Sequence, residues 1–407
     1  MSRQSILKSL PIGIGAVAAG FGALGMFIKS ACAPFMWGSS VETFTNLCYS
    51  DVGPLYYGRG LVDQLIPYFE VADQTRHVEY PVLTGLQMWI ANSLAHLSEQ
   101  NTAILFVYIT WLMNLAMIAL AVMIFAKIRK PNSEATWWFA FSPAIFFVLA
   151  INWDALPVLA IVCALFYWQR DRSFATGAMI AIGTAAKLFP ALLLPAVILD
   201  SLRKRNYVAA FAVTFSTGFF WVFINLPVYL NANEGWWEFY NFSKSRGIDF
   251  GSIYLAIRNL FDVEISTSLA NTIGLASVAI AFLFAVFYHR KLSAAETFLL
   301  LLGVFLLFNK VYSPQYWLWL TPVFAFVLQS RTQWIFWNAA QMIYFVGIWR
   351  YLLFLQDAGA EGAINETIYS AILLVQWFTT LIMIVVVIRK AIKGSGRSRP
   401  ARGPSRL

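Results

Sequence analysis

Charge is what this chain has least of. Only 12% of its 407 residues are Asp, Glu, Lys or Arg, against 59% hydrophobic, where soluble domains carry roughly 25% charged residues. Aqueous solubility is hard to sustain at half that density, which excludes a soluble globular protein. Cysteine is almost as scarce: three residues exclude a disulfide scaffold or a zinc cluster. Three histidines (His77, His96, His289) lack metal-ligand spacing, so no metal and no cofactor is assigned, with a divalent ion left open. Internal repeats are missing too. Many secondary transporters show two matched halves with broken helices in corresponding positions, and this chain has none.

What is present is a series of apolar runs near the length that crosses a bilayer, so the chain reads as an all-α polytopic membrane protein. The first run, residues 10–28, has a basic flank in Arg3 and Lys8. It is longer than a signal-peptide core and no small-residue cleavage site stands out after it, so we read it as a retained span. The net charge of +9 follows from the tendency of Lys and Arg to collect in cytoplasmic loops, and no nucleic-acid role is assigned. Residues 1–392 form one membrane domain in this reading. The basic Gly/Ser/Pro-rich tail, 393–407, is expected to be disordered and held near anionic membrane lipids.

Basic clusters at Lys127–Lys130, Arg170–Arg172, Arg203–Arg205, Arg290–Lys291, Arg331 and the tail mark successive returns to the cytoplasm. They predict about 12 spans with both termini inside, a long first outer loop over roughly residues 30–100, and a multi-pass protein of the plasma membrane. The segment 81–97 is apolar enough to cross, but crossing would invert every later cluster, so an interfacial helix is expected there. Outward turns fall at Asn152-Trp153-Asp154, at Lys187 to Pro190 and at Asn309 to Tyr316. Several spans are only about 14 to 17 residues, short for a core of ~30 Å. Turns at membrane depth are tolerated only where they line a cavity or are buried in protein.

Nine of the 29 Lys and Arg residues fall on the outer side: Lys29, Arg59, Arg76, Lys187, Lys244, Arg246, Arg258, Lys310 and Arg350. The positive-inside tendency does not explain them. Outward cations beside a cavity suit a phosphate ligand, and Lys187, Lys310 and Arg59 are the candidates. Among outward acids, Asp51 follows soon after the first span, within Cys48-Tyr49-Ser50-Asp51-Val52-Gly53-Pro54. It is either a catalytic base, or a helix cap, or a partner for Arg59. Sugar transfer to a hydroxyl needs a base on the acceptor and cations on the leaving phosphate. Asn152, Trp153 and Asp154 offer an indole face and polar groups for a sugar ring; an interfacial anchor and a helix cap are the plainer accounts of the last two. Cys32 and Cys48 share the outer side and are open to a bridge or to two free thiols.

Five motifs in order carry a resemblance. They are Cys48-Tyr49-Ser50-Asp51 with Pro54-Leu55-Tyr56, Glu79-Tyr80-Pro81, Asn152-Trp153-Asp154, Ala186-Lys187-Leu188-Phe189-Pro190 and Lys310-Val311-Tyr312-Ser313-Pro314-Gln315-Tyr316. Together they resemble actinobacterial members of glycosyltransferase family 87, within the GT-C superfamily of polyprenyl-phosphate-sugar-dependent enzymes. That family includes mannosyltransferases. The resemblance implies transfer of a hexose, mannose first, from a polyprenyl-phosphate donor to a lipid or glycan hydroxyl at the outer face. Asp51 would be the general base. Lys187, Lys310 and Arg59 would meet the donor phosphate. Glu79, Tyr80, Asn152, Trp153, Asp154, Tyr312, Gln315 and Tyr316 would contact sugar or acceptor. No His occupies the late outer loops, where some members carry one. The competing reading is a transporter or flippase for a lipid-linked sugar or another anionic substrate.

Overall fold

A computed structural model describes residues 11–73, 75–328 and 330–394. About 75% of the structure is helix, with no strand among the described residues. In chain order, α1 (Ile12–Lys29) runs into a 3-10 turn (Ser30–Phe35), and the short α2 (Val41–Thr45), α3 (Val52–Gly58) and α4 (Val82–Ala95) follow before α5 (Thr102–Arg129). Next come α6 (Glu134–Ala140), α7 (Pro143–Phe147), α8 (Ala155–Trp168), α9 (Ser173–Ala186), a 3-10 turn (Phe189–Leu192) and α10 (Leu193–Arg203). The chain continues through α11 (Tyr207–Asn231), α12 (Asn233–Ser245), α13 (Ile253–Phe261), α14 (Thr267–Phe287), α15 (Ala294–Phe308), α16 (Tyr316–Val327), α17 (Arg331–Gln356) and α18 (Glu366–Gly394).

Five stretches are helical, long and apolar enough to cross a membrane: Ile12–Phe35, Thr102–Arg129, Tyr207–Asn231, Thr267–Phe287 and Glu366–Gly394. Four more, α8, α9, α15 and α16, are apolar but shorter. The structure therefore establishes a helical membrane protein with at least these long apolar helices, a coarser result than the expected dozen crossings. The segment 81–97 holds the 14-residue α4, packed along α5. The stretch between α11 and α14 contains the two helices α12 and α13. The reading of 393–407 as a disordered tail falls almost wholly outside the described residues.

Sequence explains where the helices begin. Ser40, Ser133, Ser142, Ser252, Ser266 and Ser293 each accept a hydrogen bond from a first-turn N–H, and Ser293 with Glu296 completes a capping box. Short helices such as α2 and α7 carry too few turns to persist alone and depend on such caps and on packing. The core is a bundle in which α1 packs on α5, α5 on α8, α8 on α9 and α9 on α11, with α17 on α18 closing the far side. Contact between α9 and α11 is tight at Gly177. A Cβ there would lie 1.9 Å from the Ser216 hydroxyl and 2.4 Å from the Val213 carbonyl, so any side chain would push the two helices apart. By contrast α11 and α14 turn most of their apolar surface outward, with Phe211, Phe219, Leu275 and Leu283 exposed, as expected of helices facing lipid.

Candidate active site

Two loop segments distant in sequence are stitched side by side. The Asp51 amide donates to the Ile151 carbonyl at 2.9 Å, and the buried Ser50 hydroxyl donates to the Ala150 carbonyl at 2.7 Å. From the other side Trp111 Nε1 donates to Ala150 O (2.9 Å), and Asn114 Nδ2 donates to Leu149 O (3.1 Å) and Asn152 O (2.9 Å). Gly53 completes the fit, since a Cβ there would sit 1.9 Å from the Met36 carbonyl. The backbone on both sides of the site is thus held by buried hydrogen bonds before any side chain is considered.

Cys32 and Cys48 are joined as a disulfide, both fully buried. The bridge ties the turn after α1 to the segment three residues before Asp51. It encloses 16 residues of sequence separation, and closing a loop near that size is worth roughly 2–4 kcal/mol. Replacing both cysteines with serine is therefore expected to lower the apparent melting temperature by several degrees and to reduce turnover. Comparing the two proteins by thermal unfolding in the same detergent checks this.

The Asp51 carboxylate accepts from the Tyr49 hydroxyl on Oδ1 (2.9 Å) and from Asn152 Nδ2 on Oδ2 (2.7 Å). Although Asp51 occupies the N-cap position of α3, its side chain makes no capping hydrogen bond. Nor does it pair with Arg59, whose guanidinium grips Glu79 through Nε and Nη2 and the Gly58 carbonyl through Nη1. Both plainer accounts of Asp51 are therefore excluded. Burial pushes its carboxyl above the usual range, opposed by the hydrogen bonds from Asn152 and Tyr49 and by the charges of Lys187 and Arg246.

Asn152 is locked in one orientation. Its Oδ1 accepts from the Trp153 amide (2.7 Å) and from Lys187 Nζ (3.3 Å), while Nδ2 serves both Asp51 and the Tyr80 hydroxyl (2.8 Å). Lys187 pairs with Asp154 at 3.2 Å and lies over the rings of Tyr80 and Trp319, at 4.8 and 5.9 Å from their centroids. Asp154 also occupies an N-cap position without capping, and its Oδ1 instead accepts from Trp319 Nε1 at 2.8 Å. Trp319 is fixed between Phe189 and Tyr316, both stacked on it.

All of this opens onto one cavity of about 940 Å³. Of the residues expected at a site, Asp51, Glu79, Tyr80, Asn152, Lys187, Lys310, Gln315 and Tyr316 line it. Four lie behind the wall. Asp154 supports Lys187, and Arg59 supports Glu79. Trp153 is buried and packs edge-on to Tyr80, so it is not an interfacial anchor. Tyr312 is buried with its hydroxyl on Gln341 Oε1 (3.0 Å). Lys310, pushed down by burial and by the neighbouring charge of Arg246, donates to the Lys244 carbonyl at 3.1 Å. Sequence reasoning assigned no role to Tyr49, Arg246, Asp249 or Trp319, although all four line the cavity. Arg246 stood among the outward cations, and an acid three residues further on was the available sign of its partner. Among the described residues no group of three or more His, Cys, Asp or Glu side chains is placed to hold a metal ion.

The model of the family described as Glycosyltransferase family 87 matches residues 80–314, more than half of the chain. No curated protein matches it. The matched region takes in Tyr80, Asn152, Lys187, Arg246, Asp249 and Lys310. Asp51 and Tyr49 precede it.

Proposed function

The chain belongs to glycosyltransferase family 87, and on that premise we propose that it transfers a hexose, mannose in the first instance, from a polyprenyl-phosphate donor to a lipid or glycan hydroxyl at the outer membrane face. As a glycosyltransferase it has a sugar donor and an acceptor; the donor class, the sugar and the base are the proposal. One observation carries it. A carboxylate free of capping duties and three cations, Lys187, Arg246 and Lys310, line the same cavity.

Charge supports a donor with a single phosphate. Lys187 is balanced by Asp154, Arg59 by Glu79 and Arg246 by Asp249. That leaves Asp51 as the uncompensated anion of the cavity and Lys310, whose partner is a neutral carbonyl, as its uncompensated cation. A phosphodiester-linked sugar carries one negative charge and matches Lys310.

In the reaction the acceptor hydroxyl gives its proton to Asp51 as its oxygen bonds to C1 of the sugar. The bond from C1 to the phosphate oxygen breaks, and the prenyl monophosphate leaves with that electron pair. Tyr49 and Asn152 hold the carboxylate in place, so its remaining lone pairs meet the acceptor without reorganisation. Charge developing on the leaving phosphate is met by Lys310 and Arg246, with Lys187 nearer the base. Glu79, Gln315 and Tyr316 present polar groups to sugar or acceptor. The buried disulfide supports an active site in an oxidising, extracytoplasmic compartment, with both termini cytoplasmic in a multi-pass plasma-membrane protein.

The test is to incubate purified protein with radiolabelled polyprenyl-phosphate sugars and an envelope lipid extract. Label moving from the prenyl-phosphate hexose to a new lipid or glycan, and none moving from nucleotide sugars, is expected. Transfer from a nucleotide sugar alone would discard the donor assignment. Movement of intact lipid-linked sugar across vesicles without transfer would favour a flippase.

A further inference from the structure

The three ion pairs around the cavity differ in one respect. Side chains of Lys187 and Asp154 are 12% and 3% exposed, and those of Arg59 and Glu79 16% and 10%, whereas those of Arg246 and Asp249 are 37% and 24% exposed. A buried pair cannot lose a partner cheaply, but a solvated one can, because water replaces what the carboxylate gives up. Arg246 directly follows α12, and both Nε (2.9 Å) and Nη2 donate to the same Asp249 oxygen, Oδ2. Asp249 is anchored on its own account. Its amide donates to the Lys310 carbonyl (3.0 Å), and its Oδ1 accepts from the Phe250 amide (2.7 Å). Phe250 O in turn accepts from the Tyr312 amide at 3.2 Å, so the segment is fixed to the strip that carries Lys310.

We infer that Arg246 and Asp249 form an exchange latch, in which Asp249 holds the Arg246 guanidinium in the resting enzyme at the place a phosphate takes during the reaction. Anchored Asp249 and the more exposed Arg246 divide the work. The donor phosphate draws the guanidinium off Asp249 and gains a two-pronged partner beside Lys310. After transfer, Asp249 competes for Arg246 and helps expel the prenyl monophosphate. Asp249 is thus a positioning residue that acts through Arg246 and sets the balance between donor capture and product release.

The latch rests on the donor reading above, and a binding experiment separates the two. The probe is geranyl phosphate, an analogue of the leaving product with no sugar to transfer, measured by calorimetry on the full-length protein. Substituting Asp249→Asn preserves the acceptor for the Phe250 amide and removes the competing charge; binding is expected to tighten about threefold to tenfold. Arg246→Met is expected to weaken it by at least about tenfold. Combining both is expected to match Arg246→Met alone, since Asp249 has no guanidinium left to hold. In turnover, Asp249→Asn should lower donor KM and kcat together. Unchanged or weaker binding in Asp249→Asn overturns the latch, as does equal tightening with or without Arg246. Failure of the probe to bind even with both residues intact overturns the donor reading and the latch with it.

Discussion

Substituting Asp51→Asn is expected to lower kcat by about 10²- to 10⁴-fold, the range a positioned general base contributes, while donor KM changes little. Asparagine has nearly the shape of aspartate and can still accept one of the two hydrogen bonds from Tyr49 and Asn152, but it cannot take the acceptor proton. The fold should survive. Because burial raises the Asp51 pKa, its ionisation opposes folding. Any stability it contributes is present below its unfolded pKa and lost as pH rises through the folded one. A carboxylate kept at such a site against stability is typical of functional groups. The same shift sets the pH dependence: activity should rise with pH along a limb lying above the ordinary carboxylate value of 3.8. Asn152→Leu removes a hydrogen bond that favours the charged form and should move that limb further up. Turnover against pH for the three proteins, each checked for monodispersity in detergent, decides the matter. Undiminished kcat in Asp51→Asn would move the base to Glu79 or Asp249.

Much of this site was legible before the structure because ionisable residues are so few. In a chain this apolar, an acid just past the first span and lysines at the turns of short helices had few structural explanations. Ordered motifs from Cys48 to Tyr316 then pointed to residues that do share a cavity, with Asp51, Asn152, Lys187 and Lys310 all on its wall. What sequence could not supply was pairing. Nothing local indicates that Arg59 reaches 20 residues to Glu79, or that Lys187 reaches back to Asp154; both follow from how the bundle closes. Hence Arg59, a phosphate ligand by its charge and side of the membrane alone, sits behind the wall with its guanidinium occupied.

The helices show a similar division. Long spans such as α5 and α18 were readable from hydropathy alone. The interrupted stretch that forms α6 and α7, and the pair α12 and α13 between two long apolar helices, were not. Helices of this kind are fixed by a serine cap or by packing, and their own apolar pattern is too short to stand out. Two of the residues missed at the site adjoin these regions: Arg246 follows α12 and Asp249 precedes α13. Tyr49 and Trp319 matter because they donate to Asp51 and Asp154, pairings that only the closed bundle creates.

Lys187→Met is the second substitution with a large expected effect, and it acts first on stability. The Asp154 carboxylate is 3% exposed, and without the ammonium 3.2 Å away it keeps only the Trp319 indole on Oδ1; its Oδ2 has no hydrogen-bond partner even in the intact protein. Removing one member of a buried pair costs about 3–5 kcal/mol, because the other charge is left uncompensated. The single variant should therefore express poorly or melt many degrees lower. Adding Asp154→Asn removes the stranded charge while keeping an acceptor for Trp319, and should recover most of the stability. Activity should not recover with it. Lys187 also donates to Asn152 Oδ1 and its charge favours ionised Asp51, so the stable double variant should show lower kcat and an acid limb shifted upward. Thermal unfolding and a pH–rate profile on the same preparation separate the two roles. If stability and activity return together, Lys187 is only the counter-ion of Asp154, and the phosphate must rely on Arg246 and Lys310 alone.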